Sequence, residues 1–380
     1  MLLIRNACVY TMEDAGMLEG MDILCEGGKI AKIAQNIEAD GAQVIDASGM
    51  VVTPGLIDAH SHTGLGIAAA LQDANEMTNP VTPELNVIHS VDISTEEFRQ
   101  LCKEGVTAAC IIPGSGNVIC GQGIVAKTAG KNSIYDLTVL NPAVMKCAMG
   151  GNPKGYGKKG QAPMTRMGVA SILRETLRQA KTYMEKRAEE DEAKRPAYDP
   201  KMEALIPVLR REIPLKVHCE QFDMVTIVNI AKEFGCDYTI EHAWACDLYA
   251  EELIAGGGAL CYGPIGIPEG VGELTGGDVG MLKEFDDRGL NVCIVTDYPL
   301  LTDNVLQIEA GEAVRYGVAH DRALRMITIN PAKALRVDDR LGSVREGKDA
   351  DLVVWNAVPA LDTAARPVYT IIDGKIVYQA

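Results

Sequence analysis

The segment PGLIDAHSH, residues 54–62, places two histidines one residue apart directly after an apolar run. Along an extended strand, alternate side chains share a face, so His60 and His62 project to the same side. Neutral imidazole nitrogens bind zinc and similar divalent ions, and one ion could be held by both rings. An isolated pair of this kind is also compatible with two hydrogen-bonded polar residues at a strand end.

Four further polar residues lie at or near the ends of apolar runs. His218 ends PLKVH, His242 ends DYTIEH and Asp297 ends NVCIVTD. In an eight-stranded α/β barrel the catalytic residues lie at the carboxyl ends of the strands, so each of the three is where a ligand is expected. Lys146 lies in the apolar stretch TVLNPAVMKCAMGG, where burying an ammonium group is costly. It needs a partner or a modification.

The elements that must position these residues follow from the hydrophobic pattern. After about residue 50, apolar runs alternate with longer helical stretches, which predicts βα units and a parallel sheet. Eight candidate strands predict an α/β fold with a TIM-type (β/α)8 barrel. The candidates are Val51–His60, Val106–Pro113, Ile124–Thr128, Leu137–Ala148, Leu215–Cys219, Tyr238–His242, Ala259–Gly263 and Val292–Asp297. Residues 114–140 leave no room for helices beside the third strand, so we expect irregular structure there.

Both ends of the chain have a different pattern. Residues 2–50 and 341–380 contain short β-type runs separated by turns, including hairpin signals at Gly27-Gly28 and Asp373-Gly374. Packing the two ends together predicts a small β-sandwich domain from residues 1–52 and 341–380. The barrel, residues 53–340, is then inserted between them.

Composition limits the class of protein. The 380 residues are 47% hydrophobic, which is enough for a sizeable core, and the net charge of −16 disfavours nucleic acid and anionic membranes as partners. We see no targeting segment and no apolar run long enough to span a membrane. Eleven cysteines scattered through apolar segments indicate reduced thiols and a cytoplasmic protein. Assembly into a homo-oligomer is left open.

Taken together, these motifs resemble the metal-dependent amidohydrolase superfamily, most closely its imidazolonepropionase-like and prolidase-like branch. The resemblance spans nearly the whole chain. It rests on PGLIDAHSH, the two strand-end histidines, TDYP around Asp297, TINPAKAL and the closing LGSVREGKDADLVVW.

The resemblance implies a metal site and a reaction. In that superfamily one or two divalent ions are bound, and a carboxylated lysine of the fourth strand bridges the ions in two-metal members. By position, the ligands here would be His60, His62, Lys146, His218, His242 and Asp297, and the expected ion is zinc. The implied reaction is hydrolysis of an amide or related C–N bond in a small molecule, with Asp297 passing a proton from the activated water to the leaving amine.

Two alternatives remain open at this stage. A one-metal deaminase of the superfamily is expected to carry a glutamate three residues after the strand-five histidine, whereas this chain has Gln221 there and Glu220 one position earlier. A non-catalytic scaffold with the same fold is expected to lose ligands, and none is missing. The glycine-rich SGNVICGQG lacks the Lys-Ser/Thr ending of a P-loop, so we expect a shaped turn over the active face.

The segment GGNPKGYGKKGQAPMTR, residues 150–166, concentrates positive charge in an acidic chain. It follows the Lys146 strand and is therefore expected on the active face. Lys154 and Arg166 are candidates to bind a substrate carboxylate, which favours N-acyl amino acids or dipeptides over neutral cyclic amides. Alternatively, its lysines only keep an exposed loop soluble.

Overall fold

Hydrogen bonds divide the strands of the computed structural model into two sheets of eight. The structure describes residues 1–67, 72–265, 277–300 and 305–380. The strands are β1 (Leu2–Tyr10), β2 (Met17–Glu26), β3 (Lys29–Ala34), β4 (Gln43–Asp46), β5 (Val51–Pro54), β6 (Leu56–Ser61), β7 (Val106–Ile111), β8 (Ile119–Lys127), β9 (Thr138–Ala148), β10 (Leu215–Cys219), β11 (Tyr238–His242), β12 (Ala259–Tyr262), β13 (Val292–Ile294), β14 (Leu352–Trp355), β15 (Pro367–Ile372) and β16 (Lys375–Gln379).

Helices separate most of the strands between β6 and β14. They are α1 (Glu96–Lys103), α2 (Ile134–Leu137), α3 (Arg166–Arg187), α4 (Pro200–Leu209), α5 (Asp223–Phe234), α6 (Ala250–Gly256), α7 (Met281–Asp287), α8 (Leu306–Arg315), α9 (His320–Arg325) and α10 (Ile329–Ala334). None of the helices in these described ranges combines the length and apolarity that a membrane span requires.

Strands β6 to β13 form the barrel in unbroken chain order. A bridge between Ser61 and Tyr298 joins the first strand to the segment after the last one, so the barrel is nearly closed. Residues of β6, β7, β10 and β11 are buried on both faces, as expected where helices cover the outside of a sheet. The predicted α/β class is confirmed, and the nearly closed barrel of eight strands is consistent with the predicted TIM type.

The expectation of an all-parallel barrel is wrong at β8, which pairs antiparallel with both β7 and β9. Residues 112–118 before it are too few for the helical crossover that a parallel neighbour requires. This strand also begins five positions earlier than expected, at Ile119 rather than Ile124. Residues 114–140 therefore contain a long strand and the short α2 rather than only irregular structure.

The predicted strand Val51–His60 is two strands, since β5 belongs to the terminal sheet and β6 to the barrel. Gly55 separates them. A Cβ at this position would lie 1.9 Å from the hydroxyl oxygen of Thr107, so the crossing from one sheet to the other needs glycine.

The two ends of the chain share the second sheet, in the order β16-β15-β14-β5-β1-β2-β3, with β4 also paired to β1. Both predicted hairpins, β2–β3 and β15–β16, are present. The sandwich prediction is not confirmed, because hydrogen bonds join all eight strands in one sheet. One edge of β1 pairs with β2, and the other edge pairs first with β4 and then with β5. The domain boundaries stay a prediction.

Candidate metal centre

Three potential ligands converge where β6 and β13 end. His60 is in β6, His62 follows it, and Asp297 lies just after β13. Their ligand atoms all lie within 4.8 Å of one another, and the three residues are buried. The Asp297 Oδ1 atom is 3.3 Å from His60 Nε2 and 3.2 Å from His62 Nε2.

The second nitrogen of each ring decides which tautomer is present. His60 Nδ1 lies 2.7 Å from the carboxylate oxygen Oε2 of Glu241, and His62 Nδ1 lies 2.8 Å from the carbonyl oxygen of Ile112. Both partners are acceptors, so each Nδ1 carries the hydrogen and each neutral ring has a lone pair at Nε2.

Two nitrogen lone pairs and one carboxylate therefore meet without a hydrogen between them. Within the described part of the chain, the buried Asp297 Oδ1 makes no hydrogen bond of acceptable geometry. Such an arrangement of acceptors is suited to a positive partner placed between them, and a divalent ion with affinity for imidazole and carboxylate supplies one. The residues present thus fit the metal that the sequence predicts.

Two more histidines extend this cluster. The ring centroid of His242 lies 4.6 Å from that of His60 and 4.5 Å from that of His218. His242 Nδ1 donates to the carbonyl oxygen of Gly263 at 2.9 Å, which again leaves a lone pair at Nε2. In His218 the nitrogen Nε2 lies 3.2 Å from Glu220 Oε1, whereas Nδ1 is buried with no hydrogen-bond partner among the described residues.

Lys146 lies against the same cluster, with its Nζ atom 3.5 Å from His60 Nε2. Its side chain is fully buried, and burial lowers the pKa of the amine although the charge of Glu241 opposes this. Burial also lowers the pKa of His60 and, more strongly, that of His242, so these rings stay neutral. The structure thus brings together the side chains of all six predicted ligands.

Left-handed backbone at the strand ends makes this convergence possible. The φ angle is 69° at His242 and 55° at Asp297, a conformation that residues other than glycine rarely adopt. Neighbouring side chains on a regular strand point to opposite faces, yet both Glu241 and His242 face His60 because the backbone turns at His242. Strain of this type is typical of functional sites.

Sequence reasoning missed two residues beneath the cluster, Glu241 and Lys216. Their side chains form an ion pair of 2.8 Å, and both are fully buried. Lys216 could have been found, because it is two residues before His218 and shares its face of β10. Glu241 could not, since alternation alone places it opposite its neighbour His242.

The cationic segment, residues 150–166, follows β9 and lies at the carboxyl end of that strand beside the cluster, as predicted. A 3-10 helix spans Asn152–Lys159, which includes Lys154, and the Asn152 side chain lies 3.4 Å from His218 Nε2. Tyr156 is fully buried and donates its hydroxyl hydrogen to Asn117 of the glycine-rich segment at 2.6 Å. The segment is therefore packed onto the barrel and is more than an exposed soluble loop.

Arg166, the other candidate for substrate binding, begins α3. Its Nε atom donates to Asp223 at 2.9 Å, and its guanidinium lies 5.0 Å from the centre of the Phe222 ring. These neighbours are two and three residues after Glu220, so Arg166 lies near the His218 side of the cluster and is not one of the six grouped side chains.

Comparisons of sequence and of structure find known proteins that are similar to this chain. A sequence model described as "Amidohydrolase family" matches residues 218–377. The crystal structure of an amidohydrolase from Thermotoga maritima MSB8 has a TM-score of 0.94, is 34% identical, and both chains are covered completely. Amidohydrolase tasK of Hapsidospora irregularis is 29% identical over 98% of this chain, which spans only 42% of that relative. The imidazolonepropionase of Anaeromyxobacter dehalogenans 2CP-1 is 26% identical, with 93% of this chain and 89% of that protein covered.

Proposed function

The chain belongs to the amidohydrolase family, and from this premise we propose that it hydrolyses an amide or related C–N bond with the help of a divalent metal. The observation that carries the proposal is the convergence of the His60 and His62 lone pairs on the Asp297 carboxylate. When bound, the metal would lower the pKa of a water molecule and polarise the substrate carbonyl. The candidate substrates are N-acyl amino acids, dipeptides and cyclic amides.

Zinc, as one or two ions, is the metal we propose, because its common protein ligands are imidazole nitrogen and carboxylate oxygen. The full set of ligands would be His60, His62, Lys146, His218, His242 and Asp297. Elemental analysis after purification with added zinc should find about two ions per chain, as expected for this number of ligands.

Replacing both His60 and His62 by alanine should remove at least one ion. His320→Ala is the matched control. Its ring contacts the carbonyl oxygen of Pro359 and the ring of Tyr10, neither of which belongs to the cluster. A parent protein that retains no metal would contradict the proposal and would favour the scaffold alternative.

We propose that Lys146 is carboxylated on its amine. Only an uncharged amine reacts with carbon dioxide, and burial of Lys146 favours that form. The alternative is an unmodified lysine. Lys146→Ala should lose activity that short carboxylic acids partly restore, and intact-mass analysis under non-denaturing conditions should show the added carboxylate. A fully active protein with an unmodified lysine would refute this assignment.

Within the reaction, we assign the proton transfer to Asp297. Its carboxylate lies beside both ring nitrogens of the metal pair, so it can accept a proton from the attacking water and deliver it to the leaving amine. Asn152 and the buried Tyr156 hold the cationic segment, residues 150–166, beside His218, and this segment would limit the access of bulk water.

For the substrate we propose a carboxylate that binds near Lys154 and Arg166. Because Arg166 is paired with Asp223, the substrate would bind the guanidinium alongside that aspartate. Lys154→Ala and Arg166→Ala should raise KM for an acidic substrate more than for its uncharged amide, and Lys159→Ala, on the exposed end of the same segment, should not. Equal effects on both substrates, or a best substrate without charge, would remove this role.

A deaminase is the second candidate, and Glu220 is the observation in its favour. Its carboxylate is buried and lies 3.2 Å from His218 Nε2, although it is one position earlier than the deaminase pattern requires. Release of ammonia from aminopurines or pyrimidines by the zinc-loaded protein, without cleavage of any amide in a substrate screen, would establish this alternative.

We further propose that the enzyme is cytoplasmic. All eleven cysteines are free thiols, and ten of them are buried. Unpaired thiols in such number suit a reducing compartment. Retention of eleven reactive thiols after unfolding under non-reducing conditions would support this location.

A further inference from the structure

A second layer of charged side chains lies beneath the metal centre. The Glu241 oxygen Oε2 accepts from Lys216 Nζ at 2.8 Å and also from His60 Nδ1 at 2.7 Å. The other carboxylate oxygen accepts from the hydroxyl of Thr239. A continuous chain of contacts therefore runs from a lysine on β10, through a glutamate on β11, to a ligand on β6.

Stability does not explain why these charges are buried. The side chains of Lys216, Glu241 and His60 are fully inaccessible to solvent. Removing two charges from water costs several kcal/mol for each ion, and apolar residues of similar size are often as stabilising or more so. A pair retained at this cost next to a metal site points to a task at that site.

The three rings with a bonded Nδ1 differ in what they contact. His62 and His242 donate to backbone carbonyl oxygens, whereas His60 donates to a carboxylate. A carboxylate makes the stronger hydrogen bond and increases the basicity of the ring as a ligand. It also accepts only, so the His60 hydrogen must stay on Nδ1 and the lone pair on Nε2.

Lys216 controls where that carboxylate lies. Because the same oxygen accepts from both Lys216 and His60, the ammonium group holds Oε2 at the position from which it reaches His60 Nδ1. The same ammonium group also donates to the thiol sulfur of Cys261, at 3.7 Å. Without Lys216, the carboxylate would lose its buried counter-charge and could turn away from His60.

We propose that Lys216 and Glu241 are positioning residues that set the tautomer of His60 and thereby its strength as a metal ligand. The inference rests on the metal site proposed above. It predicts a loss of metal affinity in variants that keep all six ligands.

The test measures zinc affinity of the full chain, stripped with a chelator and titrated against a chromophoric competitor. Glu241→Gln keeps the shape but offers amide hydrogens that allow either tautomer of His60, and Lys216→Met removes only the charge. Each should bind zinc about 10- to 100-fold more weakly, the usual range for residues that orient a ligand. Because the two residues act as a unit, the double variant should bind no more than about twofold weaker than the weaker single variant.

Lys127→Met is the matched control, since Lys127 is also a buried, ion-paired lysine of a barrel strand but its carboxylate partners are outside the metal centre. It should keep the zinc affinity of the parent. Circular dichroism of the metal-free proteins separates folding from binding, and Glu241→Gln decides the matter if Lys216→Met does not fold.

The outcomes separate the two proposals. A parent protein that binds no zinc would overturn the proposed metal site itself. A parent that binds zinc, with both single variants within about twofold of it, would overturn the role of the pair. Additive losses in the double variant would show that Lys216 does not act through Glu241, which also contradicts the inference.

Discussion

At the scale of single residues, the site is defined by which nitrogen of each histidine carries its hydrogen. His60, His62 and His242 all have an acceptor at Nδ1, so all three present Nε2 to the cluster. His218 is the exception, because its Nε2 faces Glu220, whereas its buried Nδ1 has no hydrogen-bond partner among the described residues. The hydrogen-bond acceptors at Nδ1 thus determine that Nε2 is the nitrogen available to a metal in these three rings.

Asp297 should matter more for turnover than for metal retention. Asp297→Asn removes the proton acceptor while four histidines can still hold the ion, so kcat should fall by at least ~100-fold, the scale of general acid–base catalysis. Steady-state kinetics and elemental analysis of the same preparation measure both quantities.

Asp191→Asn, at an exposed aspartate beyond α3, is the control and should change neither kcat nor metal content. If Asp297→Asn keeps near-normal turnover, the proton transfer belongs to another group. Loss of all bound metal in this variant would instead make Asp297 chiefly a ligand.

At the scale of elements, the segment before β8 and helix α8 each place a buried polar side chain beside the barrel strands. Reversal of β8 places Asn117 where its side chain accepts from Tyr156 and donates to Thr82 at 2.8 Å. These two hydrogen bonds connect the cationic segment, residues 150–166, to the barrel.

Helix α8 carries the buried Glu309, whose pKa is raised well above its ordinary value because burial outweighs a backbone contact with Ile265. The carboxyl group of Glu309 therefore holds its proton more tightly in the folded chain than in the unfolded chain.

The raised pKa of Glu309 makes stability depend on pH. The unfolded chain releases this proton near pH 4.5, its ordinary value, whereas the folded chain retains it. Its contribution to stability is therefore greatest at low pH and declines as the pH rises towards the folded-state pKa. Glu309→Gln removes this decline, so the stability of the variant relative to the parent should be greater at pH 8 than at pH 5.

Urea unfolding at pH 5 and pH 8 measures this difference. Glu312→Gln, on the same helix but partly exposed, is the control and should keep the pH dependence of the parent. A Glu309→Gln variant with the parent's decline between the two pH values would mean that Glu309 is ionised in the folded protein.

At the scale of the whole molecule, a buried cluster of charges joins the barrel to the terminal sheet. Lys127, at the end of β8, lies 2.9 Å from Asp349 and 3.1 Å from Asp351, and it also pairs with Asp373 in the turn between β15 and β16. These aspartates are far from Lys127 in sequence, so the contact holds the closing segment of the chain against the barrel.

Lys127→Met should lower the free energy of unfolding by about 3 kcal/mol, because it leaves the buried carboxylate of Asp351 without the counter-charge of Lys127. Lys29→Met is the control, since Lys29 pairs with the same Asp349 but has 48% of its side chain exposed. It should cost less than about 1 kcal/mol. Equal losses in the two variants, measured by urea unfolding, would show that burial at Lys127 has no special role.

The sequence alone predicted an α/β barrel of eight strands and singled out the six residues that the structure groups in the candidate centre. Both are properties that can be recognised locally, since apolar runs define strands and a polar residue at the end of such a run is placed on the active face. His60, His62, His218, His242 and Asp297 all follow this rule, and Lys146 stands out as a cation within an apolar run.

Three features could be seen only in the folded chain: the direction of β8, the single sheet formed by both ends of the chain, and the link from Lys216 through Glu241 to His60. Strand direction depends on which neighbours a segment meets, and short connections allow several partners. The link joins residues on three strands, and the left-handed φ at His242 breaks the alternation that would have placed Glu241 on the opposite face. Contacts between distant residues at an irregular backbone position leave no periodic trace in the sequence, so folding alone brings them together.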